Sequence, residues 1–197
     1  GAKDTYLDKN GTSQNDSLNN YNNNIAVNGL ARNDTINNRG SNVSINGGDG
    51  ADEIYNDAQD VTINGGIGND AITNNGNGTK ALIELGQGND SVLNFGSQST
   101  IYGGAGNDVI VDMYGQSTIN AGTGNDKVTL YSSNVLYQYN SGDENDTVYG
   151  FDENDTLSIS GSAYSTNISG NDVSVSVSNG SITLKDAKDI SLNIKGT

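Results

Sequence analysis

The stretch Gly103-Gly104-Ala105-Gly106-Asn107-Asp108-Val109-Ile110-Val111 sets three glycines and a carboxylate in six residues, then turns directly into β-branched apolar residues. The same order recurs along the chain. Aspartates preceded by Asn or Ala fall at Asp16, Asp34, Asp52, Asp70, Asp90, Asp108, Asp126 and Asp146, at intervals of 18, 18, 18, 20, 18, 18 and 20 residues. The chain therefore reads as an array of 18-residue units with two two-residue insertions.

Two apolar columns run in step with the aspartates. Two residues after them stand Leu18, Ile36, Ile54, Ile72, Val92, Ile110, Val128 and Val148, and seven before them Val27, Ile45, Ile63, Ile83, Ile101, Ile119 and Tyr139. Around each column apolar and polar residues alternate over four or five positions, as in Val61-Thr62-Ile63-Asn64, which is the period of a half-buried strand. At about 3.3 Å per strand residue, eighteen residues make one flattened coil of strand, turn, strand, turn. Stacked coils make a parallel solenoid. Asn20, Asn38, Asn56, Asn74 and Asn94, followed by Asp112, occupy a register four after the aspartates, and Asn28, Asn46, Asn64, Asn120 and Asn140 one six before. Asparagine tolerates left-handed turns and bonds its own kind along a stack, so both columns are read as structural.

Composition narrows what such a chain can do. The 197 residues carry a formal charge of −15 and are 32% hydrophobic, and Leu, Ile, Val and Phe make up about a fifth of them, close to a disordered composition. Without Cys or His, disulfides and most zinc, copper and haem sites are excluded, and nine basic residues argue against nucleic acid. Hard, oxygen-seeking cations remain the natural partners. No apolar run approaches the ~18 residues of a membrane span, and no signal-peptide core opens the chain.

The nine-residue unit G-G-x-G-x-D-x-U-x, U being a large apolar residue, is complete at 47–55, 65–73 and 103–111, while 85–93 and 121–129 lack only the first glycine. The sequence thereby resembles the RTX family of exported bacterial proteins, whose repeat is a known calcium-binding motif. The resemblance covers about residues 11–158. It implies a right-handed parallel β-roll, largely unfolded until calcium is met outside the cell, and a secreted or cell-surface location.

The residue chemistry agrees. Glycines let a turn curl until carbonyl oxygens converge, an aspartate adds a charged oxygen, and Ca2+ takes six to eight oxygens at about 2.3–2.6 Å. One turn offers too few, but two turns about 4.8 Å apart along the stack offer enough. The candidate ligands are accordingly Gly48, Asp49, Gly50 and Asp52; Gly66, Gly68, Asn69 and Asp70; Gly86, Gly88, Asn89 and Asp90; Gly104, Gly106, Asn107 and Asp108; and Gly122, Gly124, Asn125 and Asp126, flanked by Asp34 and Asp146. About five to seven Ca2+ ions would contribute roughly +10 to +14 and nearly cancel the net charge.

In the fuller family pattern every nonapeptide carries the aspartate. Here the alternate ones place Val43, Val61, Ser99 and Ser117 at that position, so calcium is expected along one edge only. The opposite turns, such as 38–42, 56–60 and 112–116, are expected to close on hydrogen bonds among Asn, Ser and Gly, and both insertions, at 74–80 and near 131–134, to bulge from that edge. Toward the ends the glycines are lost around Asp16, Asp34 and Asp146, predicting weaker or vacant sites.

The rhythm changes after Asp146. Residues 156–160, 172–178, 181–185 and 191–195 read as strands, giving a domain plan of lead-in (1–10), calcium-binding roll (11–149) and β-rich cap (150–197). A solenoid needs a cap to cover its open core and strand edge. The resemblance adds that type I secretion signals lie at the C-terminus of many relatives.

Functionally the reading is an extracellular, monomeric module that folds on calcium, with a type I secretion system and an upstream domain as partners. The alternative is an adhesive surface for carbohydrate, a cell surface or ice. Irregular residues at the third motif position (Asp49, Ile67, Gln87, Ala105, Thr123) argue against ice, and Tyr55, Leu93, Val109 and Val111 form the outward candidate patch. An enzyme is not expected, because no serine has an evident base and the carboxylates are explained as metal ligands.

Overall fold

The computed structural model describes residues 8–75 and 80–196. Among them there is no helix. Twenty-one strands form two sheets. The first contains β1 (Lys9–Asn10), β3 (Ala26–Ala31), β5 (Ser44–Asp49), β7 (Thr62–Ile67), β9 (Leu82–Gln87), β11 (Thr100–Ala105), β13 (Thr118–Thr123), β15 (Leu136–Asn140), β17 (Thr156–Ser160) and β21 (Asn193–Gly196). The second is built from β2 (Ser17–Asn20), β4 (Thr35–Asn38), β6 (Glu53–Asn56), β8 (Ala71–Asn74), β10 (Ser91–Asn94), β12 (Val109–Asp112), β14 (Lys127–Leu130) and β16 (Glu144–Tyr149), extended by β18 (Ser165–Ser169), β19 (Asp172–Val177) and β20 (Gly180–Leu184). From β1 to β17 the chain alternates between the sheets and pairs each strand in parallel with the strand one coil away, so the protein is a parallel β-solenoid of 18-residue coils, two of them lengthened to 20.

Each coil has an apolar centre and polar corners. In the coil holding Asp108, Ile101 and Ile110 face inward and are fully buried, Asp108 and Asp112 lie buried at the ends of the short strand, and Ser117 is buried at the next corner. The two predicted apolar columns are the core along the whole stack. Their members stack in register, as Ile45 does on Ile63 and Ile36 on Ile54, except for Tyr139.

The column beginning at Asn20 is a buried hydrogen-bond ladder. Each amide Nδ2 donates to the Oδ1 one coil on, from Asn20 through Asn38, Asn56, Asn74 and Asn94 to Asp112, over 2.6–2.8 Å. Most rungs also close their own turn, as Asn38 does by donating to Gly40 O at 2.9 Å. Asp112 ends the ladder, with Leu130 in register one coil further. Its Oδ2 is buried there without a partner, and burial holds its carboxyl above the usual carboxylate range. The second asparagine column faces outward from the first sheet instead, with Gln138 rather than Asn140 following Asn120 in register; Asn28 bonds Asn10 across coils at 2.6 Å.

One insertion lies where expected. Strands β7 and β9 pair with a 20-residue offset while β6 and β8 keep 18, which puts the extra residues between Asn74 and Leu82; residues 76–79 of that loop fall outside the described residues. The other is in the opposite turn from the one expected. Ile119 pairs with Tyr137, an offset of 18, but Val128 pairs with Val148, an offset of 20, so the added residues lie between Tyr137 and Val148, on the aspartate edge rather than at 131–134. Tyr137, not Tyr139, therefore continues the isoleucine column.

Stacking continues past residue 150 through β17 and β21. The second sheet then reverses. β20 docks in parallel on β16, and β19 and β18 follow outward as an antiparallel meander. Val173, Val175, Ile182, Leu184 and Ala187 extend the core beneath it. Asp172 and Lys185 form an ion pair between its strands. β18, which is exposed throughout, had no signal in the apolar pattern.

Candidate metal-binding edge

The glycine-rich turn joins each long strand to the following short one. Its glycines answer two requirements at once. Gly104 has φ of +106° and Gly106 of +132°, and a Cβ on them would stand 2.1 Å from Gly86 O and 1.7 Å from Gly88 O of the preceding coil. The carbonyls of the second and fourth motif positions thus press against the next coil's bare α-carbons. Where the motif decays, Leu30 and Arg32 adopt the same left-handed backbone, at φ of +88° and +76°, a conformation that costs about 1–2 kcal/mol for a side chain of this kind.

Two further ladders run along this edge in opposite senses. The backbone N–H of each aspartate donates to Oδ1 of the aspartate one coil ahead, from Asp16 to Asp146, at 2.7–3.1 Å. The residue before it donates backward: Ala51, Asn89, Asn107 and Asn125 bond Oδ1 of Asn33, Asn69, Asn89 and Asn107 at 2.7–3.1 Å. The asparagines Asn69, Asn89, Asn107 and Asn125 therefore sit on the exposed rim, and the side-chain oxygens of the first three are engaged by backbone. Asp49 also lies outward, exposed at the end of β5.

The aspartates themselves point inward. Asp34, Asp52, Asp70, Asp90, Asp108 and Asp126 are 1–2% exposed, and in all six Oδ2 is buried with no hydrogen-bond partner. A buried carboxylate oxygen left unmet is costly. Burial, followed by the charges of neighbouring aspartates, pushes Asp70 and Asp108 up to about 7, against backbone hydrogen bonds that pull them down. Burial likewise raises Asp126 to about 6, and lifts Asp34, Asp52 and Asp90 above the usual carboxylate range.

These orphan oxygens have company. A Cβ on Gly47 would lie 2.4 Å both from Asp52 Oδ2 and from Gly65 O of the next coil, and Gly11, Gly29, Gly65 and Gly103 face equivalent pairs. A carboxylate oxygen and a carbonyl oxygen thus converge from adjacent coils. Leu85 and Ala121 hold the same position in the two coils lacking the first glycine, and both are buried. Among the described residues no group of three or more acidic side chains is placed to hold a metal ion, so a cation here would draw on backbone carbonyls as well as carboxylates. The donor set, all oxygen with one inward charge per coil, fits a hard divalent cation.

The opposite edge differs in chemistry, although Asp112 there also buries an unpartnered Oδ2. Val43, Val61, Ser99 and Ser117 are buried where the alternate aspartate would stand. Asp155, which does occupy that position, has both oxygens met, by the N–H groups of Val135 and Asp152 at 2.9 Å.

Fold and edge together define a parallel β-solenoid with a column of unmet carboxylates along one side. No protein-family model matches the sequence, and no curated protein matches it. Among solved structures, the extracellular lipase LipA from Serratia marcescens is similar to it with a TM-score of 0.41 and 13% identity, over 89% of this chain and 37% of the lipase. The chain thus spans little more than a third of that protein.

Proposed function

We propose that this chain is an extracellular calcium-binding module of the RTX type, folding as several Ca2+ ions bind along the aspartate edge. The observation that carries the reading is the run of six buried, unpartnered Oδ2 atoms in consecutive coils. Neighbouring carboxylates about 4.8 Å apart repel by roughly 3 kcal/mol per pair at an effective dielectric of about 20. Divalent cations supply the missing charge and coordinate oxygen. The inward aspartates Asp34 to Asp126 and the carbonyls of the turn glycines would hold about five to seven ions, leaving Asn69, Asn89, Asn107 and Asn125 to fasten one coil to the next.

The module serves secretion-coupled folding, or forms a structural part of a larger exported protein reached through a type I system. It is monomeric and non-catalytic, and its −15 charge disfavours nucleic acid. A second reading, an adhesive surface, draws on Tyr55 and Val109, both about 41% exposed, which stand outward on the second sheet near Leu93 and Val111.

Isothermal titration of chelator-stripped protein with Ca2+, with Mg2+ as control, tests the proposal. Uptake of several Ca2+ per chain at submillimolar concentration is expected, without a comparable response to Mg2+. Absence of uptake at about 10 mM Ca2+ would remove the reading, since extracellular modules of this kind bind at ~0.1–1 mM.

A further inference from the structure

The eight aspartates of the edge do not end alike. Six interior Oδ2 atoms, from Asp34 to Asp126, are unpartnered. The two terminal ones are not. Asp16 Oδ2 accepts both the N–H and the hydroxyl of Thr12, at 2.6 and 2.9 Å, and Asp146 Oδ2 accepts the Tyr137 hydroxyl at 2.6 Å. Each terminal carboxylate still serves the stack in its ordinary way where a neighbour allows: Asp146 Oδ1 accepts the Asp126 N–H at 3.1 Å.

Tyr137 reaches this place because of two departures in one coil. It stands where the preceding coils carry Ile83, Ile101 and Ile119, and it is fully buried. The two extra residues then lengthen the turn that follows. That turn closes on itself, with Asp143 accepting from the Asn140 N–H at 2.7 Å and the Tyr139 hydroxyl donating to Glu144 O at 2.5 Å. Its outer strand of oxygens is retained in part, since Asp143 O accepts the Gly124 N–H at 3.3 Å, as Thr123 O accepts that of Gly106 at 2.9 Å. What changes is the inner oxygen. A neutral hydroxyl proton faces Asp146 where the interior coils leave a charge unmet.

Building on the calcium reading, we propose that the hydroxyls of Thr12 and Tyr137 terminate the cation column, so that Asp16 and Asp146 are hydrogen-bond acceptors and the ions are confined to the coils from Asp34 to Asp126. The column then needs no half-coordinated ion at either end. A hydroxyl can satisfy one carboxylate oxygen from within a single coil, whereas a cation needs oxygens from two.

Counting bound Ca2+ on equilibrated, gel-filtered protein tests this. Asp108→Asn is expected to lower the count, Asp146→Asn to leave it at the wild-type value, and Tyr137→Phe to raise it by about one ion, an increase that Asp146→Asn added to Tyr137→Phe abolishes. Should Asp146→Asn cost as many ions as Asp108→Asn, the proposal is wrong; that comparison stands even where Tyr137→Phe fails to fold. If the wild-type chain takes up no Ca2+ yet folds, the calcium reading falls and the confinement of ions with it, and melting in chelator decides whether Thr12 and Tyr137 meet the terminal carboxylates. Asp108→Asn, which removes a charge with no partner, should then raise the melting temperature by more than Asp146→Asn, which also disturbs the hydrogen bond from Tyr137; an equal or larger rise for Asp146→Asn overturns that assignment as well. A chain that neither binds Ca2+ nor folds overturns both.

Discussion

In excess chelator at about pH 7.5, the chain is expected to lose most of its β-sheet circular dichroism, and acidification to about pH 5 to restore it with no metal added. The cause is the aspartate column. Burial raises Asp70 and Asp108 from 3.8 to about 7, Asp126 to about 6 and Asp146 to about 8. A carboxyl whose pKa is raised by folding holds its proton more tightly in the coil stack than in the unfolded chain. The stabilisation is therefore complete below about 3.8 and is lost as pH climbs through the folded values of about 6 to 8. One carboxyl raised from 3.8 to about 7 accounts for roughly 4 kcal/mol across that window, comparable with the ~5–15 kcal/mol that holds an ordinary domain together. Saturating Ca2+ should reverse the dependence, because a protonated carboxyl is a poor ligand and acid then competes with the ion. A chelator-treated chain whose β signal is flat from about pH 5 to 8, or falls on acidification, would contradict this account.

Gly104→Val is the second large effect expected, a loss of more than about 4 kcal/mol in urea unfolding with Ca2+ saturating. The new Cβ would meet Gly86 O at 2.1 Å, and that oxygen belongs to the backbone of a stacked coil, so it cannot swing aside. The left-handed φ of +106° adds to the cost. Gly170→Ala separates the two contributions, since Gly170 also has a positive φ, +65°, but an added Cβ there meets nothing within 4 Å. About 1 kcal/mol is expected for it. Equal losses at the two positions would mean that backbone conformation alone, and not the closeness of the coils, makes these glycines necessary.

The parts of this fold that repeat were legible before any coordinates. Leu18 to Val148 and Val27 to Ile119 announce themselves as buried columns because an 18-residue period places identical residue types at identical points of the coil. The buried ladder from Asn20 to Asp112 follows from the same arithmetic. What the period could not show is direction. That Asp52 faces Gly47 and the coil interior, while Asn69 faces outward and binds the following coil's backbone, depends on alternating φ signs within six residues, which composition does not encode. The places where the period breaks were harder still. Spacing between aspartates reports that two residues are added between Asp126 and Asp146, but either turn could hold them, and only the pairing of Ile119 with Tyr137 decides. Tyr137 carried one signal, an aromatic with a hydroxyl beside a column of isoleucines, and the misplaced insertion hid it. Thr12 carried none beyond standing where other coils have glycine.

The reversal at the end of the second sheet sets an order in time. From β1 to β17 a strand finds its partner 18 or 20 residues away, but β20 reaches β16 across 36 residues, Glu144 lying opposite Gly180, and β21 reaches β17 across 37, Asn193 lying opposite Thr156. Doubling the loop raises the entropic cost of closure by only about 0.6 kcal/mol; the greater constraint is sequence. β16 gains its outer partner only once residues 180–184 and the hairpin preceding them have turned back, so the coils are expected to stack first and to be latched last. Pulse-labelled hydrogen exchange during refolding should show the amides of 180–184 gaining protection after those of 100–112, and the reverse order would place the latch first. The meander is in this sense a clock, marking the moment at which the coils before it have stacked.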